Sequence, residues 1–180
     1  MLHSFSHLLI TSIALECGYP ASSIRERVYA RPGTGFGLLL YTGSSDSEGT
    51  LGDLIQVGRR IHDHFRNALT LGELCSNDPV CVQHRPQDAH ERRFLHGATC
   101  HGCLLISATS CERQNDFLVR ALVVPTVENL GAEFFWIYAV YQGRRVFQAL
   151  TDRMLEISHL KVRMVLDVEG PKATPRSMPS

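Results

Sequence analysis

Cys75-Ser-Asn-Asp-Pro-Val-Cys81 and Cys100-His-Gly-Cys103 are the stretches on which the reading of this chain turns. Two thiols three positions apart, with a glycine between them, can face one tetrahedral ion in a tight knuckle. A structural zinc site asks for a second pair, usually separated by roughly two to four residues. Cys75 and Cys81 enclose a slightly wider loop, which suffices if Asp78-Pro79 turns the chain. Four thiolates around Zn2+ leave a net negative charge. Arg85, Arg92, Arg93, His101 and Arg113 lie close in sequence to offset it. Cys111 competes for one ligand position, and His84 and His101 are the nearest histidines that could take one. Two other readings are weaker. One is a set of small buried thiols with a chance CxxC. The other is a redox pair, which lacks the preceding strand and the thioredoxin-like βαβ setting. Cys17, beside Gly18, reads as a buried or inert thiol.

The segment carrying these cysteines, residues 72–102, also holds His84, His90, His96 and His101 and has little hydrophobic periodicity. It reads as chain ordered by a bound ion rather than by its own core. On its N-terminal side the pattern is regular. Leu2, Phe5, Leu9, Ile13 and Glu16 follow helical spacing, widened by Leu8 and Leu15, and Gly18 and Pro20 stop the helix. Residues 22–29 suit either a short helix capped by Ser22 or a turn leading into a strand through Val28 and Tyr29. Leu38 to Tyr41 reads as a buried strand. A second amphipathic helix covers residues 52–69, with Leu54, Val57, Ile61, Phe65 and Leu69 on one face. Ser110 is placed to cap a third helix over residues 111–122.

Beyond a boundary at residues 125–131 the pattern changes to strand, helix, strand: 134–141, 144–157 and 161–168. Residues 170–180 are rich in proline, serine and threonine and read as a flexible tail. The expected fold class is therefore α+β, with a small mixed sheet, amphipathic helices and a zinc-stapled loop region, followed by a β-α-β segment. The expected division is a zinc-binding domain over residues 1–124, the β-α-β segment over 131–169 and the tail over 170–180.

Composition limits the function. The chain has 180 residues, 44% hydrophobic and 20% charged, with 18 basic and 18 acidic side chains and a formal net charge of zero. Wholesale disorder and polyanion coating are both disfavoured. The basic residues are mostly arginine, which suits local bidentate contacts to phosphate or carboxylate. No stretch is long and apolar enough to span a bilayer, and no secretory leader precedes Leu8. The expected location is the cytoplasm, where cysteines favour metal or free thiol over disulfide.

Several other features carry less. Gly33-Thr-Gly-Phe-Gly37 lacks the preceding strand and following helix of a nucleotide fingerprint. Residues 42–52, with hydroxyls, glycines, Asp46 and Glu48, read as a connecting loop or a phosphate or partner contact. No histidine or nucleophile accompanies those carboxylates, so no hydrolytic mechanism follows. His3 and His7 are four apart on the first helix and could face each other or bind metal; a solvated or core-satisfied pair is the commoner outcome. His159-Leu160-Lys161 resembles the start of the phospholipase-D-like HxKx4D motif. Leu166 stands where the aspartate belongs, and Asp167 would face the other side of a strand.

Several separated stretches recur together in one known family: Leu2 to Ile10, Ile24 to Tyr29, Leu40 to Gly52, and Cys100 to Asn115. Across residues 1–124 the chain resembles the helicase-associated zinc-binding (DUF1998) domains of Mrf-type DNA repair helicases and of the DrmB component of DISARM anti-phage defence, the latter most closely. The resemblance implies a structural zinc held by Cys75, Cys81, Cys100 and Cys103, with Cys111 a further cysteine common in the family. It also implies work beside a helicase subunit on DNA. The chain has no Walker motif, so the expected role is a non-catalytic zinc-binding module with no catalytic residues of its own. It would dock a helicase partner and contact the DNA backbone. The competing classes are a divergent phospholipase-D-like phosphodiesterase using His159 and Lys161, and a zinc-dependent structural protein with unrelated partners.

Overall fold

The computed structural model describes residues 1–18, 20–31, 35–42, 50–86, 89–130, 133 and 162–166. The first helix, α1 (Leu2–Cys17), ends where Gly18 adopts the left-handed conformation, φ 72°, and returns its amide to Ala14. The sequence pattern predicts an amphipathic helix with one apolar stripe. The structure instead buries α1 on nearly every side: His3, Ser4, Ser6, His7 and Ser12 are as inaccessible as Phe5, Leu8, Leu9, Ile10 and Ile13. Its polar side chains are inside because each has a partner. Ser4 Oγ accepts from the Val119 amide at 2.9 Å, and Ser12 Oγ donates to the His64 carbonyl at 3.3 Å.

After a single 3-10 turn at Ala21–Ser23 the chain enters β1 (Ile24–Arg31), so the strand reading of this segment holds. It pairs antiparallel with β2 (Gly35–Thr42), from Ile24 opposite Thr42 to Arg31 opposite Gly35. Gly35 and Gly37 of the glycine cluster thus lie within β2. The period-2 pleat sends Ile24 and Glu26 inward and Arg25 and Arg27 to solvent. A third strand, Val162–Leu166, pairs parallel with β2, making a mixed sheet in the order given by the chain. The other parts of the expected β-α-β segment, with His159, Lys161 and the tail, lie outside the described residues, as do residues 43–49.

The predicted second helix is two helices, α2 (Thr50–Arg59) and α3 (Ile61–Glu73), with a break at Arg60. α3 packs on α1, and Gly72 permits the approach. A Cβ there would sit 2.7 Å from Leu8 Cδ1 and 3.1 Å from Val124 Cγ1. Two short helices follow, α4 (Val80–Gln83) and α5 (Ala89–Phe94), and then turns.

The helix expected over residues 111–122 does not form. Asn115 takes a positive φ of 67° and uses its side chain to bond the amide and carbonyl of Ile106, at 3.1 and 2.9 Å. Ser110 Oγ donates to the Ala21 carbonyl instead of capping a helix. Local side-chain bonds of this kind compete directly with helical ones. Only Arg120–Leu122 forms a 3-10 turn. The resulting loops close the core, with Leu104, Leu118, Val123 and Val124 packed against α1.

Two clusters of ligating side chains

Among the described residues, two groups of side chains bring metal-ligating atoms within 4.8 Å of one another. The first is Cys75, Cys81, Cys100 and Cys103. The Cys100–Cys103 knuckle is a tight turn: the amides of Cys103 and Leu104 both donate to the Cys100 carbonyl, each at 3.1 Å. Gly102 fits beneath Ser76, whose Oγ would lie 2.8 Å from an added Cβ. The wider loop between Cys75 and Cys81 is closed by the Asp78 amide on the Cys75 carbonyl, at 3.0 Å, and the Cys81 amide on Asn77, at 2.9 Å. The peptide between them, Asp78–Pro79, is cis.

The sulfur separations suit a tetrahedral ion. Zinc–thiolate bonds of about 2.3 Å place neighbouring sulfurs about 3.8 Å apart. Here Cys75 to Cys100 is 3.4 Å, Cys81 to Cys103 is 3.7 Å and Cys100 to Cys103 is 3.8 Å. Electrostatics point the same way. Burial disfavours a Cys100 thiolate, but bonds from Asn77, Cys75 and the Gly102 amide hold its pKa down to about 7. Burial pushes the Cys81 thiol far up, with bonds to Cys100 and the charge of Cys103 adding to the rise. Cys103 is pushed up to about 12 by burial and by the charges of Cys100 and Cys75. One thiolate forms readily; several together need a cation.

Among the described side chains, those that support this cluster differ from the ones expected; the Arg93 side chain lies outside them. Asn77 Nδ2 donates to Cys100 Sγ at 3.3 Å, the Asn77 amide to Cys75 Sγ at 3.4 Å and the Cys100 amide to Cys103 Sγ at 3.3 Å. The cationic support comes from Arg120, a residue the sequence reading passes over. Its guanidinium is fully buried, grips Asp78 and leans on the Gly72 carbonyl. Burial works against its charge, yet Asp78, Cys103 and Cys81 together raise its pKa. An arginine inside the apolar run Phe117 to Val124 is the signal that was available. Cys111, His84 and His101 do not join this group.

The second group is His3, His7, Glu26 and Cys111. His3 Nε2 lies 3.0 Å from Glu26 Oε1 and 3.1 Å from Cys111 Sγ; His7 Nε2 lies 3.3 Å from the same carboxylate oxygen. Ser6 Oγ donates to Glu26 Oε2, and the Asn115 amide donates to Cys111 Sγ at 3.1 Å. Burial opposes charge on every member. Against it, bonds to Cys111 and Glu26 hold His7 up at about 9 and raise His3. Bonds from the histidines and Ser6 hold Glu26 down at about 2, and those from His3 and His7 bring Cys111 down to about 7. The histidine pair was legible as a pair. Glu26 was not singled out, although its inward position on the Ile24–Val28 register marks a carboxylate that must find partners.

Residues 5–104 match the family described as MZB, the MrfA Zn-binding domain. The chain belongs to this family. It is also 39% identical over 137 residues to the DISARM protein DrmB of Bacillus paralicheniformis, a match covering 75% of this chain and 24% of that protein. The chain therefore spans about a quarter of the length of that curated relative. The zinc-binding family and the DrmB-like resemblance expected from the motifs are both found. In this MrfA-type domain the matched region holds all four clustered cysteines, and Cys111 falls just beyond it. No helix among the described residues is long and apolar enough to cross a membrane.

Proposed function

We propose that the chain is a non-catalytic zinc-binding module of a DNA-handling complex. Cys75, Cys81, Cys100 and Cys103 hold one structural Zn2+. The observation that carries this reading is the convergence of four sulfurs within 4.8 Å of one another, three of their separations near those of a tetrahedral zinc. Bound there, the ion supplies no reaction chemistry; it neutralises the thiolates and fixes the chain on either side of the knuckle. All four positions are filled by cysteine, which leaves none open for a substrate.

The module docks against a helicase subunit in a cytoplasmic defence or repair complex, with secondary contacts to the DNA backbone. Similarity to a DISARM protein supports the setting. Zero formal net charge supports protein docking over autonomous DNA binding. Leu74 and Val80, which flank the first cysteine pair, are 74% and 76% exposed, as apolar contacts for a partner would be.

Elemental analysis of reduced, never-chelated protein tests the metal, with single Cys→Ser variants at 75, 81, 100 and 103. Loss of bound zinc in each variant is the expected result; retention in all four overturns the ligand set. Co-purification from the native host tests the partner. A helicase captured by wild type and lost on Leu74→Asp with Val80→Asp supports docking. Absence of any helicase refutes it, and undetectable DNA affinity at low salt removes the DNA contact.

A further inference from the structure

We propose that His3, His7, Glu26 and Cys111 form a second metal site, suited to zinc or a similar borderline divalent cation and separate from the four-cysteine cluster. The four side chains come from three distant segments: α1, β1 and the turn beginning at Cys111. Their ligand atoms converge on one point from different directions. Mixed bonds of about 2.0 to 2.3 Å at tetrahedral angles place ligand atoms about 3.3 to 3.7 Å apart. The observed separations of 3.0, 3.1 and 3.3 Å are slightly tighter. A small outward adjustment admits the ion.

Hydrogen bonding fixes which nitrogen of His7 is left for a cation. His7 Nδ1 lies 2.8 Å from the Leu104 carbonyl oxygen, which can only accept. Nδ1 therefore carries a proton, which leaves Nε2 as the ligating atom; a bound cation would replace the Nε2 proton that otherwise bonds Glu26. This is how a ligating histidine is commonly held. His7 Nε2 faces Glu26 Oε1, and His3 Nε2 converges on the same oxygen. Cys111 Sγ receives the Asn115 amide, the kind of bond that steadies the sulfurs of the first cluster.

Charge and burial argue the same way. One carboxylate, one thiolate and two neutral imidazoles around a divalent ion sum to zero. A neutral unit is the form a buried polar cluster tolerates best. The side chains of His7 and Glu26 are 0% exposed and that of His3 is 11%. Cys111 is 5% exposed, so the thiol–imidazole–carboxylate set is no nucleophilic centre: substrate cannot reach the sulfur. With all four positions supplied by protein the site is structural, and it ties the N-terminal helix to the sheet and the C-terminal turns.

This inference stands independently of the four-cysteine reading, and one set of measurements separates them. Zinc content of the wild-type chain is measured first. Two ions per chain are expected, falling to one in Cys111→Ser and in His7→Gln; a zinc content that neither variant lowers overturns the proposal. Zinc K-edge absorption on the wild type keeps the test open if those variants fail to fold. Two filled sites together supply five sulfur and three nitrogen or oxygen ligands to two ions, as the two donor sets require, so the average environment is mixed. A purely sulfur environment overturns the second site and leaves the first intact. An environment poor in sulfur, with zinc retained in Cys100→Ser and Cys103→Ser, supports the second site and overturns the first.

Discussion

Arg120 Nη2 donates to both carboxylate oxygens of Asp78, at 2.7 and 2.8 Å, from a side chain with no solvent exposure. Asp78 sits in the loop that carries Cys75 toward Cys81, so the ion pair links the core to the cysteine cluster. Arg120→Met removes the cation and leaves a carboxylate whose side chain is 29% exposed and can partly rehydrate. A cost of about 2–3 kcal/mol is expected, below that of breaking a wholly buried pair. Urea unfolding checks this. Zinc affinity should fall about 10- to 100-fold, as for other supporting residues of metal sites. Competition with a chromogenic chelator checks it, and an unchanged affinity would disconnect Arg120 from the cluster.

Metal removal should act locally before it acts globally. The amides of Asn77, Cys100 and Gly102 donate to cluster sulfurs and depend on their position. Hydrogen exchange after chelation should show these amides losing protection while the amides of α3 keep theirs. Equal loss along α3 would mean that zinc supports the whole domain rather than the loop region.

Two glycines separate steric from conformational cost. At Gly72 the backbone is ordinary, but a Cβ would strike Leu8 and Val124. Gly72→Ala should cost about 1–3 kcal/mol through overpacking. At Gly18 nothing lies within 4 Å, and only the φ of 72° resists a side chain. Gly18→Ala should cost about 1 kcal/mol. Paired with Leu8→Ala, Gly72→Ala should show less than additive destabilisation, because the truncated Leu8 vacates the clash; Gly18→Ala should be additive with it. Thermal denaturation of the four combinations reads both.

The local signals of this chain were legible where one residue type dictates geometry. Gly18 and Pro20 marked the end of α1, the apolar run at 38–41 marked β2, and the Cys100-His-Gly-Cys103 knuckle marked the first cluster. Legibility failed where a long-range partner decided the outcome. Periodicity could not tell that α1 is enclosed, because its serines and histidines look like a polar face until Val119, Glu26 and Leu104 are placed around them. The helix expected at 111–122 lost to Asn115, whose side chain found Ile106 across a turn. By spacing Cys111 reads as a competitor for a position in the first cluster, since distance along the chain does not reveal that it lies against α1.

Leu9 and Leu15 belong to the same apolar stripe by sequence, yet the fold treats them oppositely. Leu9 is 0% exposed in the centre of the core, and Leu15 is 67% exposed near the end of α1. Leu9→Ala removes buried methyl groups from a site walled in by helix and sheet, where neighbours collapse little. A loss of about 2–5 kcal/mol is expected. Leu15→Ala exchanges an exposed side chain for a better helix former, and its effect should stay within about 0.5 kcal/mol. Chemical denaturation of both variants, loaded with metal and after chelation, tests the enclosed position of α1. A large effect at Leu15 would show that a partner or another part of the chain covers this end of the helix in solution. Equal small effects would mean that α1 is not enclosed.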